Sequence, residues 1–319
     1  MKSPGPRIVV TPPPICQSET LRNEIMGLFE NTVFNDKDRY LDGDELVEFC
    51  RAADGLLVGR DVINEKILQA LPHLKIVAKY GVGLDTVDEQ ALEKHQVALG
   101  WTPGVNRRSV AELTLSFMLG LCHNVFSGGF ALKENRWVKD GGHQLQGKTV
   151  GIIGCGHIGR EVVRLLKPFG CRLWVRDIVD RTDFCRATGA EMKSFEEVIQ
   201  GADIISLHVP LTDETRFMIN SKVMREMKPS AFLINTSRGA VVEPEALKNA
   251  LLEGRLAGAA LDVFTQEPPE DRQLLACPQL MVTPHIGGNA LEAIEAMARS
   301  AIDHLAQFFN RQYKKARNP

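Results

Sequence analysis

Short apolar runs rich in Val, Ile and Leu alternate along this chain with longer segments whose apolar positions recur every three or four residues. The runs are continuous rather than alternating, which suits strands buried on both faces, so the pattern predicts parallel sheet covered by helices on either side. A first cycle holds runs at 7–10, 55–58, 75–78 and 97–99; a second holds them at 149–153, 172–175, 204–207, 232–234, 258–261 and 280–282. The chain therefore reads as two α/β units. From Ser109 to Asn124, Val110, Leu113, Leu115, Phe117, Met118 and Leu121 fall at helical spacing, with Ser109 placed as an N-cap. This predicts a long buried helix that either joins the units or packs against a second subunit. The tail from Leu291 to Phe309 is amphipathic at the same period and is expected to return to the first unit. The expected division is a discontinuous unit of residues 1–103 with 290–319, interrupted by a second unit of residues 104–289.

A length of 319 residues suits two such cores. The formal net charge is −2, and the basic pairs Arg107-Arg108 and Lys314-Lys315 are too small and too separate to make a nucleic-acid surface, so they are expected to be solvated. The N-terminal region leads into Ile8-Val9-Val10 without the composition of a signal peptide, and no stretch is apolar for long enough to span a bilayer. The expectation is a cytoplasmic chain without a membrane partner. Seven cysteines are dispersed with no Cys-x-x-Cys pair, which reads as free thiols in a reducing compartment, with no metal expected. Most are expected to be small core residues. Cys155 stands apart because it lies inside a glycine loop.

That loop is Gly154-Cys155-Gly156-His157-Ile158-Gly159. It follows the run at 149–153 and opens a helical stretch. The glycines permit a tight turn and let backbone amides approach a diphosphate at the helix N-terminus. Asp177 closes the next run, where a carboxylate would accept hydrogen bonds from the adenosine ribose and repel a 2′-phosphate, favouring NAD over NADP. Arg176 and Arg181 flank it and keep NADP open.

Three polar residues stand at or just past the ends of runs in the second unit: Arg238 in Asn235-Thr236-Ser237-Arg238-Gly239, Glu267 after Asp262-Val263-Phe264, and His285 in Thr283-Pro284-His285-Ile286-Gly287. Singly they read as a strand cap, a turn carboxylate and a strand-end histidine. Together they supply what hydride reduction of a 2-oxo acid needs. The imidazole gives a proton to the carbonyl oxygen, the carboxylate keeps it charged, and the guanidinium fork holds the anionic end. A second loop, Tyr80-Gly81-Val82-Gly83, either cradles the substrate carboxylate on free amides or is a plain strand-to-helix turn. Arg60, Tyr80 and Trp137 are candidates for the outer wall of the site, or ordinary surface and packing residues.

At these residues, from about Gly55 to His304, the chain resembles the D-isomer-specific 2-hydroxyacid dehydrogenase family, near its phosphoglycerate dehydrogenase-like branch. The resemblance is carried by Tyr80-Gly81-Val82-Gly83, by Thr102-Pro103-Gly104-Val105-Asn106 running into Ser109-Val110-Ala111-Glu112, and by the glycine loop. His208-Val209-Pro210-Leu211-Thr212 and the three segments around Arg238, Glu267 and His285 complete it. It implies two Rossmann-like, doubly wound domains with the active-site cleft between them. Arg238 would orient substrate, Glu267 and His285 would form a proton relay, and Asp262 would bond the nicotinamide amide. His208, Val209, Pro210, Thr236 and Gly287 would line the cofactor, and homodimers would form through the helix from Ser109 to Asn124. Gly59 stands where phosphoglycerate enzymes often carry arginine, Gln144 replaces a usual glutamate, and the chain stops soon after Phe309 without the regulatory extension of some relatives. The implied activity is NAD-dependent interconversion of a 2-oxo acid and a D-2-hydroxy acid, of the glyoxylate, hydroxypyruvate or 3-phosphoglycerate type. The alternatives are an imino-acid reductase or an NADH-sensing binding protein like the C-terminal-binding-protein corepressors. Glu267, rather than glutamine, argues against formate oxidation.

Overall fold

The apolar runs become parallel strands of two separate sheets in the computed structural model, which describes residues 5–139 and 141–317, with side chains through residue 310. The chain divides into Met1–Asn106 with Ala290–Pro319, and Arg107–Asn289. In the first unit β1 (Ile8–Val10), β2 (Thr32–Phe34), β3 (Gly55–Val58), β4 (Ile76–Lys79) and β5 (Ala98–Gly100) lie in the order β2-β1-β3-β4-β5. In the second, β6 (Thr149–Ile153), β7 (Arg172–Arg176), β8 (Glu191–Met192), β9 (Ile204–Leu207), β10 (Phe232–Asn235), β11 (Gly258–Leu261) and β12 (Leu280–Val282) lie in the order β12-β11-β10-β9-β6-β7-β8. β1, β3 and β4, and β6, β9 and β11, are buried throughout, which is why they read as unbroken apolar runs.

Two strands escape the sequence pattern, and both lie at a sheet edge. β2 is half-buried along its length, and β8 is two residues long with Glu191 exposed. Short or polar edge strands avoid pairing with other chains, and those same properties remove the apolar signal.

In the second sheet the chain runs outward from β6 through β7 to β8, then returns to β9 and runs the other way to β12. The reversal leaves a crevice between the C-terminal ends of β6 and β9, where doubly wound sheets bind ligands. The expected long helix is Arg107–Cys122, packed on helix His157–Leu166 with Phe117, Met118 and Cys122 buried. Because it begins at Arg107, Ser109 is inside the first turn and is not an N-cap. Its hydroxyl instead donates to the Gly287 carbonyl at 2.5 Å. Helix Val125–Lys133 follows, with Phe126 and Phe130 exposed. Among the described residues no single helix is long and apolar enough to cross a membrane. Arg107–Cys122 with Val125–Lys133 together reach that length and apolarity, but the two are bent by 65° and the first is part of the core.

Helix Leu291–Arg317 packs on β3, β4 and β5 of the first unit, burying Ala298, Ala301, Ile302 and Leu305. Thr102 ties into it through His304 and Ser300, each at 2.9 Å. The side chains of Lys314 and Lys315 lie outside the described residues. All seven cysteines are free thiols; six are buried, and burial pushes the Cys155 thiol up to about 11. Cys155 is thus a core residue that happens to stand in the glycine loop.

Candidate active site

The glycine loop occupies the crevice beside β6. Gly154 takes φ +93°, and a Cβ there would lie 2.4 Å from the His208 carbonyl, so the ends of β6 and β9 can meet only without a side chain. This brings Gly154, His208 and Val209 together. A Cβ on Gly159 would lie 2.0 Å from the Gly154 carbonyl, so that glycine lets the loop seat on the helix. Gly156 faces open space, and the amides of Gly156, His157 and Ile158 donate to no other described residue. These amides at a helix N-terminus, with no side chain in the way, fit a dinucleotide diphosphate.

Asp177 follows β7. One carboxylate oxygen accepts from the Cys155 amide at 2.7 Å and the other from the Val179 amide at 2.8 Å, and Arg181 pairs with it at 3.4 Å. Burial pushes this carboxyl up, but the two amides and Arg181 outweigh burial and hold it below the usual range. Arg176 donates to the Asp177 carbonyl. Both flanking arginines are therefore engaged with Asp177.

His208 is held by Ser206, with Nε2 2.9 Å from the hydroxyl, while Nδ1 is buried and has no partner among the described residues. Burial pushes its pKa down to about 3, so the ring is neutral. Pro210 is exposed and its carbonyl accepts from Thr215 at 2.7 Å.

Arg238, Glu267 and His285 leave the ends of β10, β11 and β12, which are adjacent in the sheet. Asn235 is fully buried and winds the first loop. Its Oδ1 accepts from the Ser237 amide and hydroxyl at 3.0 and 2.8 Å, and its Nδ2 donates to the Arg238 carbonyl at 2.8 Å. Gly239 is required where that loop meets the next, because a Cβ there would lie 1.9 Å from the Phe264 carbonyl carbon. His285 Nδ1 stands 2.9 and 2.8 Å from the two carboxylate oxygens of Glu267. A carboxylate at Nδ1 accepts a hydrogen bond and so fixes that nitrogen as the protonated one. Nε2 has no partner among the described residues, so it is the ring atom able to give a proton outward.

Asp262, only 1% exposed, accepts from the Thr283 hydroxyl at 2.6 Å and from the Ile286 and Gly287 amides, each at 2.8 Å. It anchors the segment that carries His285, a use invisible in the sequence. Asp61, which no sequence pattern marks, has the same use on the first sheet. It closes the corresponding edge of the first sheet, accepting from Thr11 at 2.6 Å, Gly59 at 2.9 Å and Leu41 at 3.3 Å. On that edge Gly81 takes φ +104°, and the amides of Gly81, Val82 and Gly83 donate to no other described residue. Tyr80 is buried, Arg60 is exposed, and Trp137 is 79% exposed beyond helix Val125–Lys133.

A doubly wound sheet with open amides at its switch point and an imidazole–carboxylate pair past the ends of β11 and β12, on the same edge, fits a dinucleotide-dependent oxidoreductase. Residues 115–287 match the model of the D-isomer specific 2-hydroxyacid dehydrogenase NAD binding domain. The chain is 37% identical over 273 residues, 82% of each chain, to the glyoxylate reductase of Thermococcus litoralis. It is 36% identical over 261 residues to the hydroxypyruvate reductase of Thermotoga maritima, covering 80% of this chain and 84% of that one. The crystal structure of a glyoxylate reductase from Paecilomyes thermophila superposes with a TM-score of 0.86 at 25% identity, over 96% of both chains. The chain belongs to the D-isomer specific 2-hydroxyacid dehydrogenase family and is an NAD-binding oxidoreductase.

Proposed function

We propose that this protein reduces a small 2-oxo acid of the glyoxylate or hydroxypyruvate class to the D-2-hydroxy acid. The observation that carries the reading is the imidazole of His285, bound to Glu267 through Nδ1 and open at Nε2. NAD, in its reduced form, supplies the hydride. His285 Nε2 donates the proton that the carbonyl oxygen takes up, and Glu267 stabilises the imidazolium before that transfer. Arg238 orients the substrate through its carboxylate and carbonyl oxygen. The open amides of Gly81, Val82 and Gly83, with Tyr80 beside them, are assigned to the substrate carboxylate. Gly154, Gly156, His157, Ile158 and Gly159 are assigned to the diphosphate. Asp177 is assigned to the ribose, with NAD preferred over NADP, and His208, Val209, Pro210, Thr236 and Gly287 to the walls around the cofactor. Asp262 spends its carboxylate on the His285 segment, which supports a positioning role beside any contact to the nicotinamide amide.

The test is NADH and NADPH oxidation against glyoxylate, hydroxypyruvate, phosphohydroxypyruvate and pyruvate, with His285→Ala as control. Turnover should require His285, falling by at least about a hundredfold in the variant while NADH affinity stays within about twofold. Undiminished turnover in His285→Ala would refute the proton assignment. NADH binding without turnover of any of these acids would favour a nucleotide-sensing protein instead.

Homodimerisation is part of the same proposal, but its surface is placed on helix Val125–Lys133. The exposed side chains of Arg107–Cys122 are polar (Arg108, Glu112, Ser116), whereas Val125, Phe126, Phe130 and Leu132 form an exposed apolar stretch.

A further inference from the structure

Helix Arg107–Cys122 sends a hydroxyl to each of two loops in the second unit. Ser109 donates to the Gly287 carbonyl at 2.5 Å, and Thr114 meets the Thr236 hydroxyl at 2.9 Å. They are five residues apart, about 7.5 Å along the helix axis and on different faces, so one rigid element reaches both the segment after β12 and the segment after β10. Apolar packing of the helix requires neither hydroxyl. Thr114 is fully buried and already satisfied, because it donates to the Val110 carbonyl at 2.8 Å. A hydroxyl has one proton, so in the contact with Thr236 it is Thr236 that donates and Thr114 that accepts.

Each contact completes a clamp. Gly287 is held on its carbonyl by Ser109 and on its amide by Asp262 at 2.8 Å, and a Cβ there would lie 2.9 Å from the Asp262 carboxylate and 3.5 Å from Val110. His285 lies between two anchored points, Thr283 and Ile286, at φ +55°, a conformation that a non-glycine residue keeps only when its surroundings impose it. Thr236 is held from the helix side while Asn235 winds the next two residues onto Arg238.

We infer that Ser109 and Thr114 are positioning residues of the reaction: Ser109 sets the orientation of His285 through Gly287, and Thr114 sets that of Arg238 through Thr236. This rests on the roles proposed above for His285 and Arg238. It makes the helix a common frame for the proton donor and the substrate-orienting cation, with a separable effect from each hydroxyl.

The test compares Ser109→Ala and Thr114→Val with the hydroxyl-retaining variants Ser109→Thr and Thr114→Ser. Steady-state reduction of glyoxylate by NADH is followed across pH, and thermal stability is recorded alongside. Ser109→Ala should lower kcat about tenfold and displace the acidic-group limb of the pH profile, with KM within about twofold; Thr114→Val should raise KM about tenfold. Both hydroxyl-retaining variants should recover most of the loss. Two measurements that need no turnover keep the inference open to refutation. Ser109→Ala should displace the NMR titration of His285 alone among the histidines, and Thr114→Val should weaken oxamate binding to the NADH complex about tenfold. Lowered melting temperature with unchanged kcat, KM, His285 titration and oxamate affinity would reduce both residues to packing and overturn the inference. Full activity of His285→Ala would refute the underlying reading instead, whatever the two helix variants do.

Discussion

His285 combines a left-handed backbone with a side chain that must meet Glu267 through Nδ1, and neither condition is local. Asp262, more than twenty positions upstream, holds the amides of Ile286 and Gly287 and so fixes the segment that carries His285. His208 shows the opposite use of an imidazole. With a pKa held down near 3 by burial, against an ordinary value of 6.5, it remains neutral in the folded chain and takes up a proton on unfolding below pH 6.5. A depressed native pKa means stability that is complete above 6.5 and is lost as pH falls from 6.5 towards 3. Urea unfolding followed across that interval should show the parent losing stability with a slope of up to about one proton. His208→Gln should flatten that slope. An unchanged slope would show that His208 is not the group responsible.

At the scale of elements, the glycine loop explains why its spacing was readable. Gly154 and Gly159 each answer a contact that any Cβ would break, Gly156 leaves the amides beside it uncovered, and such requirements leave a mark in composition. Gly159→Ala places a methyl against the Gly154 carbonyl, and the expected cost is about 1–3 kcal/mol of stability together with weaker NADH binding. Thermal melts and fluorescence titration with NADH check it, and a variant that melts and binds like the parent would mean that the loop yields freely. Helix Arg107–Cys122 was legible as an element from its apolar period, but Ser109 was misplaced as its cap. A serine near a helix start satisfies a capping pattern whether or not the chain has already turned, and the partner that claims its hydroxyl, Gly287, is 178 residues away. Asp61, and the use of Asp262 as a backbone anchor, are illegible for a similar reason, since a buried carboxylate and an exposed one look alike in sequence.

On the molecular scale, the C-terminal helix rejoins the first sheet after the second unit in sequence, so the core of the first unit draws on segments from both ends of the chain. Helix Val125–Lys133 carries a run of exposed apolar side chains, Val125, Phe126, Phe130 and Leu132. Phe130 is 60% exposed, and beside Phe126 lies a groove of about 170 Å³ lined by Leu121, Phe232, Pro278 and Met281. A self-complementary contact there would bury the phenylalanines against the partner's groove. Phe130→Glu should convert a dimer into a monomer in sedimentation equilibrium while leaving the circular dichroism spectrum unchanged. A parent that sediments as a monomer at micromolar concentration would remove the proposal.

What the sequence by itself determined was every parallel strand except the edge strands β2 and β8, the two cycles, and the glycine loop with its following carboxylate, and it singled out Arg238, Glu267 and His285 as candidates. Each rests on short-range constraints: continuous burial, helical period, and glycine where a Cβ cannot fit. Tertiary structure alone decided which atom meets which. It put Glu267 on Nδ1 and left Nε2 open, spent Asp262 on the backbone around His285, and drew Ser109 to Gly287. These are hydrogen bonds between residues distant in sequence, and a hydrogen bond depends on a few tenths of an ångström and on direction, which the arrangement of strands supplies and residue order does not.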